Sequence, residues 1–216
     1  MKSRSTPRTF SCPCGQEFSG TIYEYVNAAQ DSRLRYITLA GMLNVATCPF
    51  CGRKAAVACP FIYSDPQYDL LAYVHPNANA PEEARQLILE RLRSVYVDLA
   101  NAQEEEQNGA GGDRRARLTA DQARELPPLK VVFGLDELYE LLNAILPPDE
   151  RLGKLAMNTF SSDSAERGQF LAIARKMAAD ADCAIEVEDL PDEYVVRLYG
   201  ARRNISMLMR SLSAVG

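Results

Sequence analysis

Histidine is almost missing from this chain: His75 is the only one in 216 residues. It precedes Pro76 and is accompanied by no serine or cysteine nucleophile motif, so it reads as structural or solvated rather than as a base or a metal ligand. Long apolar runs are missing as well. No stretch of eighteen apolar residues is present to cross a bilayer as a helix. The opening MKSRSTPRTF also lacks the apolar segment that a secretory signal places ahead of its cleavage site. The expectation is a cytoplasmic protein without a membrane span. A phosphate loop is lacking too, because the GAGG of residues 109–112 runs into Asp113 instead of Gly-Lys-Ser/Thr at a helix start.

Cysteine is scarce, and most of it is spent in one pattern. Four of the six cysteines fall in FSCPCGQEF (10–18) and ATCPFCGRK (46–54), two pairs that each contain a proline and end on a glycine. In a reducing compartment, clustered cysteines more often bind metal or do redox work than form structural disulfides. The remaining composition is ordinary for a globular protein, 47% hydrophobic and 25% charged. The net charge of −5 is unevenly spread. Residues 1–60 carry seven Lys/Arg against three Asp/Glu, residues 61–128 seven against twelve, and residues 129–216 ten against fourteen, giving +4, −5 and −4. The positive excess coincides with the cysteine pairs, although four thiolates holding a divalent ion would add a formal −2 there.

The pattern predicts an α+β protein. Residues 18–27 alternate with a period of two, and Phe18, Ile22 and Val26 fall on one side of the expected strand. A short helix follows from an N-cap at Asp31 or Ser32, through Leu34, Ile37, Leu39, Met42 and Leu43. Residues 53–76 read as two or three strands with a turn at 64–67, marked by Asp65 and Pro66. From Pro81 the stripe Ala84, Leu87, Ile88, Leu92, Val95 and Leu99 predicts an amphipathic helix, and residues 103–117 read as a solvated connection. Beyond it lie an expected strand at 130–133, a helix stopped by Pro147-Pro148, a strand through KLAMNTF, a helix capped at Asp163, a hairpin of CAIEVED with EYVVRLYG, and a last helix. The boundaries expected are therefore 1–80 for a β-rich zinc-ribbon-like domain with an inserted strand and helix, 81–128 for helix and linker, and 129–216 for a small α/β domain.

Cys12 and Cys14 are two apart on an extended segment, so their side chains project to the same side. In Cys48-Pro49-Phe50-Cys51 the longer spacer lets the backbone curl until both sulfurs converge. Gly15 and Gly52 suit the positive φ of such turns. Four converging thiolates make the soft tetrahedral set that structural zinc prefers, with one ion expected per chain and no coordination position left for a catalytic water. Four unrelated buried thiols, or a redox Cys-x-x-Cys, are weaker readings, the latter because a strand rather than a helix follows Cys51. These motifs, with NVATCPFCG and PFIYSDPQYDLLAYVHP, resemble the CpXC family over residues 9–77. That family is an uncharacterised zinc-ribbon-like domain of bacteria and archaea, and the resemblance implies Cys12, Cys14, Cys48 and Cys51 as its motif cysteines. The first motif here is one residue short, Cys-Pro-Cys, which leaves the geometry of that turn open.

Cys59 and Cys183 lie in apolar strands and read as small buried hydrophobes. Tyr23, Tyr25, Tyr36 and Tyr63 with Arg33, Arg35, Arg53 and Lys54 form a candidate set for single-stranded nucleic acid, against the simpler reading of sheet tyrosines and surface charge. The functional expectation is a structural zinc ribbon that supports recognition of another macromolecule, a protein first and nucleic acid second. A redox or other enzyme comes third, since no paired acid and base or open metal site is evident. Oligomeric state is not read from these features.

Overall fold

The computed structural model describes residues 2–92, 129–190 and 192–213. Two antiparallel strands open the chain, β1 (Arg4–Ser11) and β2 (Glu17–Asn27), followed by helix α1 (Ser32–Leu39) and a small hairpin of β3 (Val45–Thr47) and β4 (Lys54–Ala56). Next come β5 (Phe61–Asp65) and β6 (Leu70–His75), a helix α2 described over 82–92, then β7 (Leu129–Phe133) and α3 (Gly134–Ile145). The C-terminal part runs β8 (Leu152–Thr159), α4 (Ser164–Asp180), β9 (Ala184–Asp189), β10 (Tyr194–Ala201) and α5 (Arg202–Ser213). Val95, Leu99 and the expected connection at 103–117 lie outside the described residues.

The local signals act as their chemistry requires. Asp31 caps α1 by accepting from the Arg33 N–H at 3.2 Å, and Asp163 caps α4 by accepting from the Ala165 N–H at 2.7 Å. Pro147 follows α3 directly, since a proline supplies no N–H for continuing the helix. The turn expected at 64–67 falls slightly later, as a 3-10 turn over Pro66–Tyr68, because Asp65 still pairs with Leu70 in the β5–β6 ladder. Strand β1 was not anticipated. RSTPRTFS is exposed along almost its whole length, so it carries no burial alternation to read.

The main sheet has the order β1-β2-β5-β6-β7. Its last strand, β7, comes from the stretch expected to open the 129–216 domain. β7 lies parallel to β6, with Leu71 opposite Leu129 and His75 opposite Phe133, so the segment assigned to a separate domain completes the N-terminal sheet. Helix α3 packs beside it, and Leu138 and Leu142 are buried in the same core as Val26, Leu34, Tyr63 and Leu70. A second sheet, β8-β10-β9, is antiparallel. Its central strand β10 is buried on both faces: Val196 and Leu198 pack with Ala174 and Ala178 of α4 and Ile205 of α5, while Tyr199 and Ala201 join the N-terminal core. The two sheets thus share apolar packing through α1.

Inside that packing lies a charged pair. Arg35 of α1 meets Asp65 at the end of β5 in a bidentate contact, Nε to Oδ2 at 2.7 Å and the second nitrogen to Oδ1 at 3.0 Å, and the Arg35 side chain is 3% exposed. Burial alone would depress the Arg35 pKa, but the Asp65 carboxylate holds it above its ordinary value. Tyr36, the next residue, donates to Glu150 Oε2 at 3.0 Å, and Glu150 also pairs with Arg203 of α5. Replacing Asp65 by Ala strands a buried guanidinium and should cost about 3–5 kcal/mol of stability, whereas Arg35→Met combined with Asp65→Leu should recover most of the loss. Chemical denaturation of the three proteins, followed by circular dichroism, measures both changes.

Candidate metal centre

Two hairpin tips build the site. The β1–β2 ladder ends at Ser11 opposite Glu17, and Cys12 and Cys14 occupy the loop beyond it. The β3–β4 ladder ends at Thr47 opposite Lys54, and Cys48 and Cys51 occupy that loop. Each tip is closed by the backbone of its first cysteine. The Cys12 N–H donates to Gln16 O at 2.8 Å, and the Cys48 N–H donates to Arg53 O at 2.9 Å. Each glycine then donates back: Gly15 to Cys12 O and Gly52 to Cys48 O, both at 2.9 Å. Their φ angles of 86° and 69° lie in the left-handed region that a side chain disfavours. The shortened first motif therefore closes across three residues where the second closes across four, and both deliver the second cysteine to the same point.

Cys12 Sγ is 3.5 Å from Cys51 Sγ, Cys14 Sγ is 3.8 Å from Cys48 Sγ, and all four sulfurs lie within 4.8 Å of one another. A tetrahedral ion with metal–sulfur bonds of about 2.3 Å separates its ligands by about 3.8 Å. The set fits a single metal ion. The first cysteine of each pair is buried and the second is exposed, so the centre sits half-sunk at the edge of the fold. Desolvation pushes the Cys48 pKa up, but the N–H groups of Phe50 and Cys51 and the thiols of Cys12 and Cys51 aimed at its sulfur bring it down to about 7. In Cys12 the Cys14 N–H favours the thiolate, yet burial and the three neighbouring sulfurs drive the pKa up to about 12. Cys48 loses its proton readily, whereas burial and the neighbouring sulfurs oppose the ionisation of Cys12. A bound cation removes that opposition.

Asn44, to which the sequence reading gave no role, ties the second tip to the main sheet. Its side chain accepts from the Tyr23 N–H at 2.7 Å and donates to Tyr23 O at 3.0 Å, doing for β2 what a neighbouring strand would do. Its own carbonyl accepts from the Val57 N–H at 2.8 Å. The backbone there has φ 56°, a conformation asparagine tolerates better than most residues, which was the available signal. Lys54, directly after the tip, pairs with Glu186 of β9, and Glu186 also accepts from the Tyr199 hydroxyl at 2.7 Å.

The other candidates separate cleanly. Cys183 is buried and its pKa rises to about 11 by desolvation, while Cys59 is half-buried, accepts from Asn44 Nδ2 at 3.4 Å, and is also raised by desolvation; neither joins the cluster. His75 accepts from the Asn77 N–H through Nδ1 and packs its ring on Phe133. The tyrosine and arginine set expected for nucleic acid does not form a surface. Arg35, Tyr36 and Tyr63 are buried, Tyr23 and Tyr25 are half-buried, Arg33 pairs with Asp31, and Lys54 pairs with Glu186, leaving Arg53.

Residues 10–145 match the family described as CpXC protein, and the chain belongs to that family. The match runs past residue 77 to the end of α3, in keeping with β7 as a strand of the N-terminal sheet and α3 packed beside it. No match was found among curated proteins or solved structures.

Substituting Cys48 or Cys51 by Ser should abolish stoichiometric metal binding, whereas Cys59→Ser and Cys183→Ser should bind one ion per chain, as read by elemental analysis. Asn44→Gly should cost about 1–2 kcal/mol through the lost side-chain bonds. Asn44→Ala should cost about 1 kcal/mol more, because alanine must also hold the left-handed backbone. Chemical denaturation of the metal-loaded variants checks the order.

Proposed function

We propose that this CpXC protein binds one structural zinc and that the zinc holds together a surface for recognising another macromolecule, a protein partner. The observation that carries the reading is the convergence of four sulfurs from two separate hairpin tips, with no histidine or carboxylate in the group. A soft tetrahedral sulfur set suits zinc better than magnesium, calcium or manganese. When bound, zinc would cross-link the tips. Cys12, Cys14, Cys48 and Cys51 would fill all four coordination positions, leaving none for a water to be activated. A cytoplasmic setting agrees with four thiols held ready for metal.

A protein partner is favoured over nucleic acid because four of the seven lysines and arginines of residues 1–60 are held in ion pairs, Arg35 among them in the core. Arg4 pairs with Glu24, Arg33 with Asp31 and Lys54 with Glu186. Phosphate binding needs several free cations along one track. Cobalt substitution tests the structural role: the expected result is a tetrahedral thiolate spectrum that added anions leave unchanged, and an exchangeable ligand would favour the enzyme reading instead. Titration with single-stranded and duplex oligonucleotides tests the partner class. Weak binding is expected, and tight binding that falls steeply with salt would favour nucleic acid.

A further inference from the structure

The second hairpin has an unused side. Hydrogen bonds from the Cys48 N–H to Arg53 O and from the Val57 N–H to Asn44 O bracket the pair Ala46 and Ala55. In an antiparallel ladder, residues alternate between facing the partner strand and facing away. Arg53, Ala55 and Val57 therefore turn their backbone groups toward β3, and Lys54, Ala56 and Ala58 turn theirs outward. Among the described residues β4 has no second neighbour in its sheet, so these outward N–H and C=O groups form an open edge there. All three residues of β4 are exposed.

Beside that edge runs a groove of about 330 Å³, lined by Phe10, Cys12 and Phe18 of the first hairpin and by Ala46, Cys48 and Ala55 of the second, with Val57 just beyond it. The two phenylalanine rings pack at 5.7 Å between centroids and make a firm wall, while the alanines opposite leave the space open. Arg53 also lines the groove, and Arg8 shares a face of β1 with Phe10. Neither guanidinium has an ion-pair partner among the described residues, whereas Arg4, Arg33 and Lys54 nearby are paired. An unfilled backbone row, an apolar slot and unpaired cations at one place define a partner: backbone hydrogen bonds supply affinity, the slot selects a side chain, and the guanidiniums select acidic neighbours.

We propose that the metal-bearing hairpin recognises an extended acidic and apolar peptide segment of a partner protein, added as a strand to the free edge of β4, with an apolar side chain in the groove and carboxylates against Arg53 and Arg8. This rests on the protein-partner reading above and names its surface. The zinc-loaded full chain is titrated with a fluorescein-labelled heptapeptide alternating valine and glutamate, its valine and lysine counterpart, a copy N-methylated on alternate amides, and a single-stranded oligonucleotide. The acidic peptide should bind saturably, and the lysine and N-methylated peptides about tenfold or more weakly. Arg53→Glu should shift the preference toward the lysine peptide, and Ala55→Phe should fill the groove and lose binding, each with unchanged metal content. Absence of acidic-peptide binding overturns the proposal, as does binding that N-methylation, Ala55→Phe and Arg53→Glu all leave unaltered. In the second case the peptide binds elsewhere and the protein-partner reading stands. Oligonucleotide binding without any peptide binding overturns both.

Discussion

The buried contact between Arg35 and Asp65 is the constraint around which the two sheets are arranged. An arginine with almost no exposure must satisfy its charge and several N–H donors inside the fold, and Asp65 with Gln67 Oε1 at 3.2 Å provides acceptors from one strand end and its turn. This fixes the rotation of α1 over the main sheet. Once α1 is so turned, Leu34, Tyr36 and Leu39 enter the core, and the Tyr36 hydroxyl points to Glu150, the carboxylate that Arg203 of α5 also holds. A polar chain therefore crosses from β5 through α1 to the last helix, while Tyr199 and Ala201 of β10 pack into the same apolar cluster. The C-terminal sheet is joined to the N-terminal one by apolar area and by directional bonds together.

The four-cysteine site stands outside this arrangement. Its two hairpin tips bury little, and neither β3 nor β4 exceeds three residues. Strands that short cannot hold themselves against the loss of backbone entropy. They depend on what cross-links them: the four sulfurs, the Asn44 side chain against Tyr23, and Lys54 against Glu186. A metal ion at the sulfurs would add a cross-link at the place where the apolar core supplies least, which is the physical sense of spending four of six cysteines there. The same economy leaves the outer edge of β4 open.

Much of this was legible in the sequence because the signals are local. The cysteine spacing states which residues converge, since two tight turns ending in glycine can do little else with four thiols. Alternation marked β2, β9 and β10, strand-like runs on either side of a proline turn marked β5 and β6, and capping aspartates marked the starts of α1 and α4, because these signals act within a few residues. Strand β1 escaped because its side chains are exposed on both faces. Asn44 escaped because its importance lies in a backbone partner twenty-one residues away.

What the sequence determined by itself is which four cysteines come together, the identity of most elements and their ends, each a consequence of chemistry between near neighbours. Only the tertiary structure decided that β7 closes the N-terminal sheet, because a parallel pairing reached across residues 76–128 leaves no mark in either strand. Tertiary packing alone, likewise, decided which charges are free. Arg35 and Arg53 look alike in the chain, yet one is enclosed against Asp65 and the other lines a groove with no ion-pair partner among the described residues, because burial and pairing depend on what the fold brings from a distance.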